Sequence, residues 1–132
     1  MKDQVTSIEQ SNRLIELGVP AQKASMVWEI DEGCARLKIW NTDEKARRML
    51  HNKYPDYYRP AYTVADLMGM IGPINTLGNP IIEKAGGDEG WVFDFGVVAG
   101  EAVLGYAECQ NIVELLVGRV EWIVSNGYKL NI

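Results

Sequence analysis

The sequence predicts an α+β domain: a largely antiparallel sheet of four to five strands, built as two hairpins and covered by N- and C-terminal helices. Three observations lead there. Apolar residues recur at helical spacing at both ends of the chain. Between them lie short β-branched and aromatic runs bounded by glycine-bearing turns. Strands and helices do not alternate regularly, which argues against a parallel sheet. At 132 residues the chain is expected to form one domain, 1–132, that buries roughly two-thirds of its unfolded surface without metal or disulfide.

The first helix is predicted over Ser7–Leu17. Thr6 or Ser7 can cap it, Glu9 or Gln10 stands at the reciprocal capping-box position, and Ile8, Leu14, Ile15 and Leu17 form its apolar stripe. Gly18-Val19-Pro20 reads as a left-handed cap with a stop behind it. Pro20 to Ser25 is then a turn or single helical turn. MVWEI and CARLKIW follow as strands joined across Asp31, Glu32 and Gly33. In the second strand Ala35, Leu37 and Ile39 alternate with Arg36, Lys38 and Trp40, which predicts one buried face and one wet, basic face.

Asn41 or Thr42 offers the next cap, with Asp43 and Glu44 in the first turn, and TDEKARRMLHNKY can run as a helix. Its apolar stripe, Ala46, Met49 and Leu50, is thin, so the helix should sit lightly on the surface with Lys45, Arg48 and Lys53 outward. Pro55 and Pro60 are expected to break regular structure around Asp56-Tyr57-Tyr58-Arg59. Thr63 caps a short helix with Asp66 at N3 and Val64, Leu67, Met68 and Ile71 inward. Pro80–Lys84 and WVFDFGVV read as a second hairpin across the turn 85–90, with Trp91, Phe93, Phe95 and Val97 on one face, and EAVLGYAE as a fifth strand after a turn at Ala99-Gly100. NIVELLVGRVEWIVSNGY is the main helix, with Ile112, Leu116, Val120 and Ile123 along its inner face and Asn126-Gly127 at its end.

Composition narrows the function classes. No apolar run approaches the roughly 18 residues of a membrane span, and the polar start MKDQVTSIEQ lacks a signal peptide's apolar segment, so no membrane and a cytoplasmic location are expected. Cys34 and Cys109 lie far apart without a CxxC or Cys/His cluster and are expected to be free, buried thiols. With His51 the single histidine, zinc sites built from several histidines are excluded, and a Cys–His nucleophile pair has no sequence support. Neither GxGxxG nor GxxxxGK[ST] occurs, so no nucleotide cofactor is expected. Asp88, Glu89, Asp94 and Glu101 could gather at one hairpin end to hold a divalent cation for hydrolysis, although acids beside glycines are also ordinary turn chemistry.

The most distinctive stretch is HNKYPDYYRPAYT, residues 51–63, with four of the six tyrosines. It ends a segment, Arg36–Arg59, that holds seven cations and three acids, a local +4 within a chain of net charge -5. Arg47, Arg48, Lys53, Tyr54, Tyr57, Tyr58, Arg59 and Tyr62 are therefore the candidate binding residues. Tyrosine and arginine are enriched anchors of protein interfaces, and Trp40 and Trp122 are further exposed candidates. The same residue types stack bases and track phosphates on single-stranded nucleic acid, a reading that the net acidity disfavours. In a third reading the tyrosines cover the core edge with their hydroxyls at the water boundary.

TSIEQSNRLIELGVP, MVW, PAYTVADLMGMIG, WVFDFG and NIVELLVGRVEWIVSNGY together resemble an uncharacterised family of small proteins from gut anaerobes and their phages or integrated mobile elements. An opening S-I-E-Q-S-like helix, a P-x-[WY]-[ST]-L-x-x-L-like segment and a final W-L-like helix mark that family. Tyr62 and Val64 stand where the pattern has tryptophan and leucine, and the basic stretch 43–59 has no counterpart in it. The resemblance implies a small α+β domain of mobile-element origin and no catalytic residues. The expectation is a non-enzymatic accessory or binding module acting through a protein–protein interface with an unknown partner, which can be a second copy of the chain. Nucleic-acid binding through the basic and tyrosine-rich segment 45–62 is the first alternative, and a carboxylate-dependent metal hydrolase the second.

Overall fold

In the computed structural model, which describes residues 4–72, 80–84, 90–94, 98–99, 102–103 and 107–132, Ser7 starts the first helix by reciprocal capping. Its Oγ accepts from the Gln10 N–H at 3.1 Å, while its own N–H donates to Gln10 Oε1 at 2.9 Å. Helix α1 runs Ile8–Glu16. Gly18 sits at φ +96°, where a Cβ would be strained, and the Gly18 and Val19 N–H groups close back on Ile15 and Leu14 as the Schellman pattern requires. The expected boundaries hold. A single 3-10 turn, Ala21–Lys23, then leads into strand β1.

Strands β1 (Met26–Asp31) and β2 (Cys34–Ile39) pair antiparallel from Met26 opposite Ile39 to Asp31 opposite Cys34. That register leaves only Glu32 and Gly33 in the loop, at φ +49° and +76°, a hairpin turn whose twist suits its strands. Asp43 caps α2 (Glu44–Lys53) by accepting from the Ala46 N–H at 2.8 Å, one residue beyond the expected cap. No residue of α2 is buried, as its thin stripe implied. Strand β3 (Tyr58–Ala61) pairs with the other side of β1, giving the order β2-β1-β3. The segment expected to be irregular is thus a strand. Pro60, opposite Val27, is tolerated because β3 is an outer strand and need not donate on its free side.

The register sorts the side chains, because opposed residues on antiparallel strands share a face. Met26 and Trp28 lie with Leu37 and Ala61 and join Val5 and Ile8 in a buried cluster. Val27, Glu29 and Asp31 share the other face with Cys34, Arg36, Lys38, Tyr58 and Pro60. The expected burial of one whole face of β2 does not occur. Ala35 and Ile39 are exposed, Ile39 at 74%, because β2 is the outer strand and the cluster reaches only Leu37. Trp40, expected outside, is 3% exposed: the Trp40 N–H bonds Ser25 O and tight backbone bonds follow at Asn41 and Thr42, so the alternation ends at Ile39. Cys34 is exposed and Cys109 half-buried, against the expectation of two buried thiols.

A buried polar knot anchors the N-terminal segment. The Thr6 N–H donates to Tyr62 O at 2.9 Å, its Oγ1 accepts from the Tyr62 N–H at 2.9 Å and meets Ser11 Oγ at 2.7 Å, and its carbonyl accepts from Trp28 Nε1 at 2.9 Å. Each buried polar atom here has a partner, which avoids the cost of leaving one unmet. Thr63 and Asp66 form the expected capping box at the start of α3 (Val64–Ile71), whose buried residues are Leu67, Met70 and Ile71.

The chain divides into two compact units, Met1–Asp66 with Ile132, and Leu67–Asn131. In the second, β4 (Ile81–Lys84), β5 (Trp91–Asp94) and β8 (Ala107–Cys109) form an antiparallel sheet in the order β4-β5-β8. Phe93, at its centre, is fully buried. Strands β6 (Val98–Ala99) and β7 (Ala102–Val103) form a separate two-stranded ladder, so the single strand expected over EAVLGYAE is divided between β7 and β8. Helix α4 (Ile112–Ser125) packs on β5 and β8 and buries Val113, Leu115, Leu116, Val117, Val120 and Ile123. It is capped by Asn111 and ended by Gly127 at φ +80°. The α+β class holds, but the strands form two three-stranded sheets and a ladder rather than one sheet of four to five. Residues 85–89 of the expected turn, and Phe95 and Val97, lie outside the described residues.

Candidate interaction groove

A groove of about 350 Å³ opens where the α2–β3 connection passes the end of β1, and it is lined by Glu29, Ile30, Asp31, Tyr54, Tyr57 and Tyr58. Local structure sets each wall. Tyr54 caps the C-terminus of α2, and a turn in which the Tyr57 and Tyr58 N–H groups both bond Tyr54 O turns the chain into β3. The Ile30 N–H bonds Tyr57 O at 2.9 Å, which fixes this turn against β1. Pairing places Glu29 beside Tyr58, so the lining combines acidic and aromatic residues. The Tyr54 and Tyr57 rings meet edge to face, with centroids 6.4 Å apart and planes at 65°.

The charges in the groove are unequal. Glu29 pairs with Lys38 at 2.8 Å, whereas Asp31 has no side-chain partner among the described residues. Lys53 Nζ stands 5.5 Å from the Tyr54 centroid. Tyr54 and Tyr57 are exposed at 42% and 56%. A second groove on α2, about 400 Å³, is lined by Asp43, Lys45, Ala46, Arg48, Met49 and Asn52.

The eight residues expected to bind do not share one surface. Tyr54, Tyr57 and Tyr58 converge on the first groove, Arg48 on the second, and Lys53 lies exposed beside Tyr54. Arg59 is half-buried in β3, on the face of Trp28. Two of the eight are corrections. Tyr62 is fully buried and its hydroxyl donates to Pro20 O at 3.1 Å; burial, and then the Asp66 carboxylate, push its pKa upward. Arg47 is bound within the fold: its Nε donates to Thr42 O at 3.0 Å, Nη1 to Ala24 O at 2.9 Å and Gln22 O at 3.3 Å, and Nη2 to Trp40 O at 3.0 Å. Its place one turn after the Asp43 cap aims it at the 3-10 turn instead of at solvent.

Glu29 and Asp31 are not among the residues expected to bind: Asp31, expected in the turn, instead extends β1, and the pairing of β3 with β1, which the prolines hide, brings Tyr58 beside Glu29. Trp122, expected exposed, is half-buried and stacks on Tyr128 at 5.8 Å. His51 is half-buried with its Nε2 unpartnered, and burial followed by the nearby Arg59 lowers its pKa. Among the described residues no group of three or more His, Cys, Asp or Glu could hold a metal ion; of the four acids considered for hydrolysis, Asp88, Glu89 and Glu101 lie outside them. Among the same residues no helix is long and apolar enough to cross a membrane. Comparisons with protein families, curated proteins and solved structures find no match.

Proposed function

We propose that the protein is a non-enzymatic binding module, of the mobile-element origin its sequence resemblance implies, acting through a protein–protein interface centred on the tyrosine groove. The observation that carries this reading is the company the tyrosines keep. Exposed Tyr54 and Tyr57 share one groove with the acidic residues Glu29 and Asp31. A nucleic-acid groove needs cations at that place, since carboxylates repel the phosphates that dominate affinity. Exposed tyrosines, with Met49 at 57% exposure on the adjoining helix, have the composition of interface anchors.

The test places a photo-crosslinking amino acid at Tyr57 in cells producing the protein, with a control at exposed Glu9 on α1. A discrete protein adduct from position 57 that is absent from position 9 supports the interface, and sedimentation velocity shows whether the partner is a second copy. The nucleic-acid alternative has its own support in Lys45 and Arg48, which line the α2 groove together. It is favoured instead if labelled oligonucleotides bind with steep salt dependence and an Arg48→Ala/Lys53→Ala variant loses that binding.

A further inference from the structure

The interface reading leaves open what enters the groove, and its chemistry is selective. Two tyrosine rings at 65° line the groove together with a third tyrosine, Ile30 and the acidic residues Glu29 and Asp31. An aromatic face attracts a cation through its quadrupole, and a carboxylate beside it adds direct attraction. The molecule already satisfies this preference internally at two points: Lys53 Nζ stands over the Tyr54 ring, and Lys38 pairs with Glu29. The Asp31 carboxylate has no such partner among the described residues, and the Tyr57 ring is more than half exposed. One cation-accepting position is therefore unfilled.

We infer that the groove formed by Tyr54, Tyr57 and Tyr58 with Glu29 and Asp31 receives a lysine or methyllysine side chain from a basic segment of a partner protein. This rests on the interface reading and specifies the partner's chemistry. Charge complementarity at the groove selects this occupant: Lys38 already offsets Glu29, so the unpaired Asp31 carboxylate, in the same groove as the exposed Tyr57, marks where a partner's cation stops. The alkyl part of a lysine can pack against the exposed tyrosine rings, a contact that an inorganic cation cannot make. Lys53 is the competitor, because it occupies the Tyr54 ring from within the same chain.

The experiment is an amide-resolved NMR titration of the intact protein with a short Gly/Ser peptide bearing one central lysine, its trimethyllysine form and its acetyllysine form, with choline as a free small cation. Each contact is weak, so dissociation constants of order millimolar are expected for one side chain. Lysine and trimethyllysine should shift the amides of Ile30, Asp31 and Tyr57 in a salt-sensitive way, and acetyllysine should not. Asp31→Asn and Tyr57→Ala should each weaken binding about tenfold, whereas Lys53→Gln should tighten it about two- to fivefold by freeing the Tyr54 ring. All three positions are exposed, and a far-UV spectrum shows whether each variant is folded. Equal shifts with acetyllysine, no shifts with any peptide, or choline binding tighter than both cationic peptides would overturn the assignment. A crosslink from position 57 that persists while the peptides fail would leave the interface standing and remove only the cation.

Discussion

Replacing Arg47 should unseat helix α2. The helix has no buried residue, so apolar packing holds it weakly, and beside the exposed Lys23–Glu44 ion pair its main polar attachment is the guanidinium that bonds the carbonyls of Gln22, Ala24, Trp40 and Thr42. A hydrogen bond to a charged donor contributes about 1.5–3 kcal/mol in isolation. The four share one half-buried group, do not add, and in part return to water when lost, so Arg47→Ala should cost about 2–4 kcal/mol. Arg47→Lys keeps the charge but not the planar fork and should recover less than half of that. Arg48→Ala, one residue on and exposed, should change stability by no more than about 0.5 kcal/mol. Urea denaturation followed by circular dichroism measures all three. In a unit of this size the Arg47→Ala loss should also lower Tm by about 4–8 °C per kcal/mol. The reasoning fails if Arg47→Ala and Arg48→Ala are indistinguishable, for then water replaces the guanidinium at all four carbonyls.

The remaining expectations concern other buried or capping groups. Tyr62→Phe removes the bond to Pro20 O and should cost about 1 kcal/mol in the same assay. Because the Tyr62 pKa is raised in the fold, the native state holds its proton more tightly than the unfolded chain does, so its contribution is complete below about pH 10 and is lost as pH rises further; the alkaline limb of stability should be shallower in Tyr62→Phe. For His51 the sign is opposite. Its lowered pKa means that the unfolded chain takes up the proton first, so stability is lost as pH falls below about 6.5, and His51→Gln should flatten that part of the acid limb. Asp66 accepts from the Thr63 N–H at 2.9 Å and from the Ser25 N–H at 2.8 Å and hydroxyl, so Asp66→Ala should cost about 1–3 kcal/mol, measured by thermal unfolding.

Local chemistry was readable in the sequence wherever a few neighbouring residues decide the backbone. Ser7 with Gln10, Thr63 with Asp66, Gly18 and Gly127 set helix ends through bonds that span three or four residues, and the Glu32-Gly33 loop set the first hairpin. Most of the inner stripe of α4 was equally legible through helical periodicity: Leu116, Val120 and Ile123 are buried as expected, whereas Ile112 is half-buried. Tertiary structure decided the rest. Only pairing with β1 makes a strand of Tyr58-Arg59-Pro60-Ala61, against the local preference of proline. Sheet order leaves Ile39 outside, and a change of backbone direction after it puts Trp40 inside. Arg47 and Arg48 are adjacent cations of one helix, yet one faces carbonyls and the other solvent, a difference that exists only once α2 lies beside the 3-10 turn. The tyrosines announced a surface by composition. The acidic residues that line the groove with them come from a strand more than twenty residues earlier, so the chemistry of that surface was fixed by which strands pair and not by the segment itself.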